Sequence, residues 1–378
     1  MTRPTTTGKA QDLITFTRST TGTYLGSDGL LKSAAIDEAR IEYDASGNCL
    51  GLLVEEEKTN LLAYSAVTEG GWGQSGSTNT NRNDNVLGVF SGLNVVSNGQ
   101  TWNRATIGAT LVSGNTYATT VFYKEGTAEN VRITCRANGA ESTIGGQAGS
   151  LNVGGEYAGP LTLLNEEDYG GIRKVTFLWV PGSSSGVSFG IGPNSDVSGE
   201  SVIAYGAQIE SGSFPTSYIP TSGSAATRAD DLASLAVSKF GYNQDQCSVV
   251  VESNFFGGTN TSALCYIGED TSDRIVLYYS NQNLSFQVKS SGATQASKSL
   301  SGQRNKAAYR YKLNDMNLAG NGDTTVADTS ANLLGGTQDN IYIGSYYHNA
   351  GAHLNGHIKS IKYYPVGLSN AQLQALTV

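Results

Sequence analysis

Along most of the chain, apolar residues alternate with polar ones in runs of five to nine, and the runs end at Gly, Asn, Ser or Pro. Side chains of a strand repeat every two residues, so this period predicts short half-buried strands joined by turns. The stretches "NTYATTVFYKEG", "RKVTFLWVPG", "GVSFGIGP" and "SVIAYGAQIE" are the clearest of the first half. In the second of these, Val175, Phe177 and Trp179 share one face; in the last, Ile203, Tyr205, Ala207 and Ile209 are expected to do the same. After Arg228 the pattern resumes in "CSVVVESNFF", "DRIVLYYS", "LSFQVKS", "AYRYKLN", "NIYIGSYY" and "HIKSIKYYP". There Leu284, Phe286 and Val288 oppose Ser285, Gln287 and Lys289. The period changes only at "GLSNAQLQALTV", where Ser369 followed three residues later by Gln372 is a capping box and Leu373 and Leu376 form an apolar stripe. The fold class is therefore all-β, with one short C-terminal helical turn.

The strands fall into blocks. Residues 1–60 form a leader with Gly-rich turns and the hairpin signal "DASGN", too poor in apolar residues to make its own core. It is expected to pair onto a following domain or a neighbouring chain. Residues 61–222 read as a β-sandwich or jelly roll. Pro215 and Pro220 cannot donate to a ladder, so a central strand cannot pass through them. The stretch "TSGSAAT", Thr221–Thr227, then reads as a flexible connector, and the linker is placed at residues 223–230. A second β-sandwich follows over residues 231–378.

Composition narrows the partners. With 38% hydrophobic residues, 15% charged residues and 20 Tyr, 10 Phe and 3 Trp, the chain is not of the charge-driven disordered class. A net charge of −8 without any basic run argues against nucleic acid as a partner. The opening "MTRPTTTGKAQDLITF" lacks a secretory apolar core, and no stretch approaches the ~20 apolar residues that cross a bilayer, so no membrane insertion is expected. Cys49, Cys135, Cys247 and Cys265 are scattered and read as small buried apolar residues rather than as disulfides or a zinc site.

Three segments together resemble known proteins. "FTRSTTGTYLGSDGLLKSAAIDEARIEYD…GLLVEEEKTNLLAYS" resembles a leader of many phage virion proteins. "YGAQIESGSFPTSYIPTSG…TRADD" is similar to the stretch that closes the carbohydrate-binding-like sandwich, a jelly roll, of those same proteins. "IYIGSYYHNAGAHLNGHIKSIKYYPVGLSNAQLQAL" resembles the last strands and terminal turn of concanavalin A-like, or laminin-G-like, lectin domains. The combination resembles tailed-bacteriophage fibres and appendages. It implies a protein of the virion surface, assembled in the host cytoplasm, that adheres to host surface polysaccharide without being an enzyme. Other virion proteins would be its neighbours, and a homotrimer would supply the repetition that weak sugar sites need. A structural role as a capsid-decoration, head-fibre or tail-adaptor protein is the alternative, and a glycan depolymerase comes third.

The candidate chemistry follows from residue types. Sugars stack their apolar faces on aromatic rings, so Trp72 and Trp102, in polar Gly- and Asn-rich surroundings, and Tyr278, Tyr346 and Tyr347, in tyrosine pairs, are the candidate carbohydrate-binding residues. Oligomer interfaces use the same side chains. No cofactor is expected; Asp270 and Asp273 in "IGEDTSDR" are the candidate calcium ligands, although calcium takes about six to eight oxygens and an Asx-rich turn explains two Asp as well. His348, His353 and His357 fall within ten residues but are separated by Gly351 and Gly356. A depolymerase needs two carboxylates about 5–10 Å apart. "NEEDYGG" places Glu166, Glu167 and Asp168 consecutively, which reads as a solvated loop. Glu55 is expected to pair with Arg40 or Arg18 as a structural ion pair.

Overall fold

The computed structural model describes residues 13–256, 261–268, 270–346 and 352–378. Four large sheets account for most of it. Sheet I runs, edge to edge, through Asn152–Glu156, Ala140–Gly146, Val131–Ala137, Ser188–Pro193, Arg104–Gly108 and Gly73–Ser75. Sheet II runs through Leu161–Asp168, Arg173–Trp179, Tyr117–Glu125, Ser201–Ser211, Leu93–Ser97 and Ser77–Asn81. Between them lies one core that includes Val175, Phe177, Trp179, Ile133, Phe189 and Ile191. The expected face of "KVTFLW" is thus the core face.

The second sandwich has its own core. Sheet III runs through Thr15–Thr17, Leu232–Ala236, Asn340–Ile343, Ser262–Gly268, Arg274–Ser280, Asn283–Ser290 and Ala293–Leu300. Sheet IV runs through Asp323–Thr324, Asn317–Gly320, Lys306–Lys312, Gln246–Phe255, Gly356–Tyr364, Cys49–Val54 and Ile41–Tyr43. Leu284, Phe286 and Val288 point into this core, as their alternation predicts. The helix Asn370–Thr377 starts at the expected capping box, with Ser369 accepting from the Gln372 backbone, and buries Leu373 against Val250, Ala308 and Ala319 on the outside of sheet IV.

The described part of the leader belongs to neither sandwich alone. Thr15–Thr17 is the edge strand of sheet III, paired with Leu232–Ala236. Ile41–Tyr43 and Cys49–Val54 close the edge of sheet IV, with Val54, Leu53 and Leu52 opposite Gly356, His357 and Ile358. Between these, the hairpin Gly22–Leu25 with Leu31–Ala34 turns toward the first sandwich. Its Leu31 joins Phe90, Phe122, Tyr205 and Tyr218 in an apolar seam on the outside of sheet II.

Two expectations are corrected here. In Ser201–Ser211, Ala207 and Ile209 face the core while Ile203 and Tyr205 face the outer seam. The register against Tyr117–Glu125 shifts by one residue, from Phe122 opposite Gly206 to Tyr123 opposite Ala204, and this bulge at Tyr205 exchanges the two faces. The stretch read as a flexible connector is tied down: Ser222 bridges to Tyr64, the Gly223 N–H donates to the Ala63 carbonyl, and Ala226–Arg228 is a strand paired with Lys58–Asn60. Of the cysteines, Cys135, Cys247 and Cys265 are buried and Cys49 is exposed.

Arg228 is held for a further reason. With Arg18, Arg40, Glu55 and Asp231 it forms a buried ionic network in which every side chain is at most 1% exposed. Arg40 reaches Glu55 at 2.8 Å and also Asp231; Arg228 reaches Glu55 at 3.4 Å; Arg18 reaches Asp231 at 3.1 Å. The expected Arg40–Glu55 pair is therefore present, and Arg18 takes Asp231 instead. Ser217, between the two prolines, donates its N–H to Glu55 at 2.7 Å. Burial alone would raise the Glu55 pKa, but Arg228 and Arg40 outweigh it and hold the carboxyl at about 2.

A carboxyl with a depressed pKa contributes stability above its unfolded value, lost as pH falls through the folded one. Glu55→Gln is expected to cost about 3–5 kcal/mol, the usual effect of removing one partner of a buried pair. The variant should also lose the decline of wild-type stability below about pH 4.5; chemical denaturation at pH 3 and pH 6 measures both. Glu210 behaves oppositely. Burial raises its pKa to about 7 against the Thr216 backbone N–H that it accepts at 2.9 Å. Its contribution is complete below about pH 4.5 and is lost as pH rises through about 7. Glu210→Gln should therefore gain on the order of 3 kcal/mol relative to wild type between pH 5 and pH 8, read from denaturation midpoints at the two values.

Candidate functional site

Sheet III builds its outer face by alternation. In Arg274–Ser280, Ile275, Leu277 and Tyr279 point into the core, which turns Arg274, Val276 and Tyr278 outward. In Ser262–Gly268, Cys265 and Ile267 point in, and Tyr266 points out between them. In Asn340–Ile343, Ile341 and Ile343 point in and Tyr342 points out. Tyr346 lies just beyond that strand. The consequence is a group of four tyrosines, with Tyr266 fully buried at its base and Tyr278, Tyr342 and Tyr346 half-buried around it.

Ring geometry ties the group together. Tyr266 lies 5.2 Å from Tyr346 and 6.1 Å from Tyr342, centre to centre, and Tyr278 lies 6.4 Å from Tyr346. The Arg274 guanidinium sits 5.8 Å from the Tyr346 ring centre and donates to Gln287 Oε1 at 2.9 Å. Burial pushes the Tyr346 hydroxyl above its usual pKa, with Tyr278 adding to the effect and Arg274 opposing it. The Tyr278 and Tyr346 phenols, both held above the usual value by burial, are neutral donors and acceptors at physiological pH. Such a face offers apolar rings for the C–H faces of a sugar, together with an amide, hydroxyls and a cation for its oxygens.

The expected residues divide clearly. Tyr278 and Tyr346 are brought together; Tyr347 lies outside the described residues. Within "LYYS" the neighbouring Tyr279 is a core residue whose hydroxyl reaches the Arg304 carbonyl. Trp72 is a core residue too, 3% exposed, with its indole N–H donated to the Tyr64 carbonyl at 3.1 Å and its ring edge-on to Phe189. It cannot meet a ligand, because the polar glycines around it are turns folded over a buried ring. Trp102 is 49% exposed and rests against Gly76 beside the edge of sheet I.

Asp270 and Asp273 serve a turn. Asp270 Oδ1 accepts from the Ser272 and Asp273 backbones at 2.7 and 2.8 Å, and Asp273 Oδ1 accepts from Ser290 Oγ and the Ser291 backbone, both at 3.0 Å. The first pair are the bonds of an Asx turn and the second tie that turn to the next hairpin, so each carboxylate serves its own loop. Among the described residues no group of three or more His, Cys, Asp or Glu converges as a metal site. His353 faces Asp230 at 3.4 Å and His357 faces Glu42 at 2.8 Å, while His348 is outside the described residues. The three acids of "NEEDYGG" end a strand instead of forming a loop. Glu166 accepts from Tyr123 and the Gly149 backbone, Glu167 pairs with Lys174 at 3.2 Å, and Asp168 pairs with Arg173 at 3.5 Å. A cavity of about 50 Å³ between the leader hairpin and sheet II, lined by Thr23, Leu25, Phe122 and Tyr218, has room for one or two waters and not for a sugar ring.

Sequence reading missed Tyr266, Tyr342, Arg274 and Gln287, and it missed three arginines on sheet I. The signal for the arginines was present: "VRITCRA" alternates strictly, which places Arg132 and Arg136 on one face of a strand.

No family model matches the chain, and no curated protein matches its sequence. Among solved structures it is similar to the CBM40 module of the Ruminococcus gnavus IT-sialidase bound to α2,3-sialyllactose, at 16% identity over 36% of this chain and 84% of that one, with a TM-score of 0.32. It is also similar to domains LG4-5 of the mouse laminin α1 chain, at 10% identity over 70% of this chain and 86% of that one, with a TM-score of 0.26. Likenesses of this degree carry no weight for what the chain binds. The strands, sheets and cores of this chain themselves establish an all-β architecture of sandwiched sheets.

Proposed function

We propose that this chain is a non-enzymatic surface appendage of a tailed-phage virion that adheres to host surface glycan. The observation that carries the binding part is the tyrosine face of sheet III. Two half-buried rings, an arginine and an amide project from strands of one sheet, with the Tyr346 ring just beyond the end of one of them, where they need little ordering to meet a ligand. The virion part is supported by the residues of the leader and of the segment around Pro215 and Pro220, which resemble those of phage appendages. The acids of Leu161–Asp168 are each engaged in structural bonds, which favours binding over a depolymerase reaction. A single sugar site of this kind is weak; display in a homotrimer would raise avidity by about 10²–10⁴.

The test is a glycan array probed with the whole chain as a multivalent display, followed by titration of the best glycan. Tyr278→Ala combined with Tyr346→Ala is expected to lower affinity at least tenfold while the far-ultraviolet circular dichroism stays that of a β protein. Unchanged affinity in the double variant, or an array without a single bound glycan at high valency, refutes the reading and favours a structural appendage.

A further inference from the structure

The outer face of sheet I carries a different chemistry. Val131, Ile133 and Cys135 point into the core, so Arg132, Thr134 and Arg136 point out. On the next strand but one, Ala105 and Ile107 point in, so Arg104 and Thr106 point out. The strand between them presents Ser188, Gly190 and Gly192, in register with Arg136, Thr134 and Arg132. Beyond Val131–Ala137, Glu141 stands opposite Arg136 and Thr143 opposite Thr134. Glycine makes the arrangement possible. A methyl group on Gly190 would lie 2.7 Å from Arg104 Cδ and 2.9 Å from Thr134 Oγ1, and one on Gly192 would lie 2.1 Å from the Asn103 carbonyl. With no side chains there, Arg104 lies across the sheet and reaches Glu141 at 2.9 Å.

Three guanidinium groups thus gather around one carboxylate, which pairs with two of them. Glu141 Oε2 serves Arg104 and, at 3.6 Å, Arg136. Arg132 is left over: its Nε and Nη2 are buried and have no acceptor, and the Thr134 hydroxyl beside it has no partner either. Burial and mutual repulsion press on the group, since burial, then Arg136 and Arg132 set against Glu141, lower the Arg104 pKa, and burial lowers that of Arg132. A chain of net charge −8 that concentrates cations without enough anions on one face is locally matched to an anion.

We propose that the outer face of sheet I is a second binding site, which takes the carboxylate of an acidic saccharide on Arg132. A guanidinium without a partner is a strong hydrogen-bonding match for a carboxylate. One unmet guanidinium calls for one negative charge, and the nearby Glu141 opposes a dianionic phosphate. The accessible outward groups are the hydroxyls of Thr106, Thr143 and Ser188 over a glycine floor, with Thr134 buried beneath; they suit sugar hydroxyls. Trp102, two residues before Arg104, supplies an exposed ring beside the same sheet.

The site is separate from the tyrosine face, and its test separates the two. Binding of the whole chain is measured by calorimetry to oligogalacturonate, to oligosialic acid, to neutral dextran oligomers, to dextran sulfate and to poly-glutamate. Oligogalacturonate or oligosialic acid is expected to bind, and which of them binds identifies the sugar class. Arg132→Gln should weaken that binding at least tenfold. It should leave the melting temperature unchanged or higher, because Arg132 makes no hydrogen bond that the fold would lose. The Tyr278→Ala, Tyr346→Ala variant should retain it. Equal binding of dextran sulfate or poly-glutamate, absence of binding to both acidic saccharides, or full binding by Arg132→Gln overturns the proposal.

Discussion

Five buried charges hold this molecule in one arrangement. Arg18, Arg40 and Glu55 come from the leader, and Arg228 and Asp231 from the segment that joins the two sandwiches. A buried ion is costly unless it is paired and its remaining hydrogen-bonding sites are filled. Most of them are filled here: Arg18 also donates to the Ala35 and Glu38 carbonyls, Arg40 to the Thr23 carbonyl, and Arg228 to the Ala229 and Glu56 carbonyls, while Arg40 Nε and Arg228 Nε have no acceptor. Withdrawing any one segment would strand charge in the interior. The network joins the leader and the junction into one unit.

That frame determines which sheet faces remain for binding. Sheets I and II spend their inner faces on one core, and sheets III and IV on another. The outer face of sheet II is covered by the leader hairpin and by Phe90 and Tyr218, and the outer face of sheet IV by the terminal helix. Both covered faces carry apolar side chains. The outer faces of sheets I and III carry arginines with threonines and tyrosines with an arginine instead. Packing and candidate function therefore divide cleanly among the four sheets. The leader hairpin and the last helix act as covers.

Much of the architecture was legible in the residues. Period-two alternation revealed "KVTFLW" and "LSFQVKS" with the correct inward faces, and the Ser369–Gln372 pair marked the helix. Which aromatic rings face outward was harder to read. Tyr278 was legible because adjacent tyrosines on a strand must diverge, and Tyr279 took the core. Trp72 was misjudged because its neighbours are polar, although burial depends on what folds over a ring and not on what flanks it. Tyr205 was placed on the wrong face because a one-residue bulge reverses alternation without leaving a mark in composition.

The amino-acid sequence alone determined the strand period, the all-β class, the terminal cap and the inability of a strand to continue through Pro215 and Pro220, since each depends on neighbours within a few residues. Tertiary structure alone decided which outward faces stay open, which arginines find a carboxylate and that "TSGSAAT" is clamped. Arg18 and Asp231 are 213 residues apart, and nothing local to either announces the other. Arg132 and Arg136 share a face by alternation, but Arg104 joins them only through the pairing of strands around Gly190. Charge balance at such a place is a property of the assembled sheet, because electrostatic energy follows distance in space rather than position along the chain.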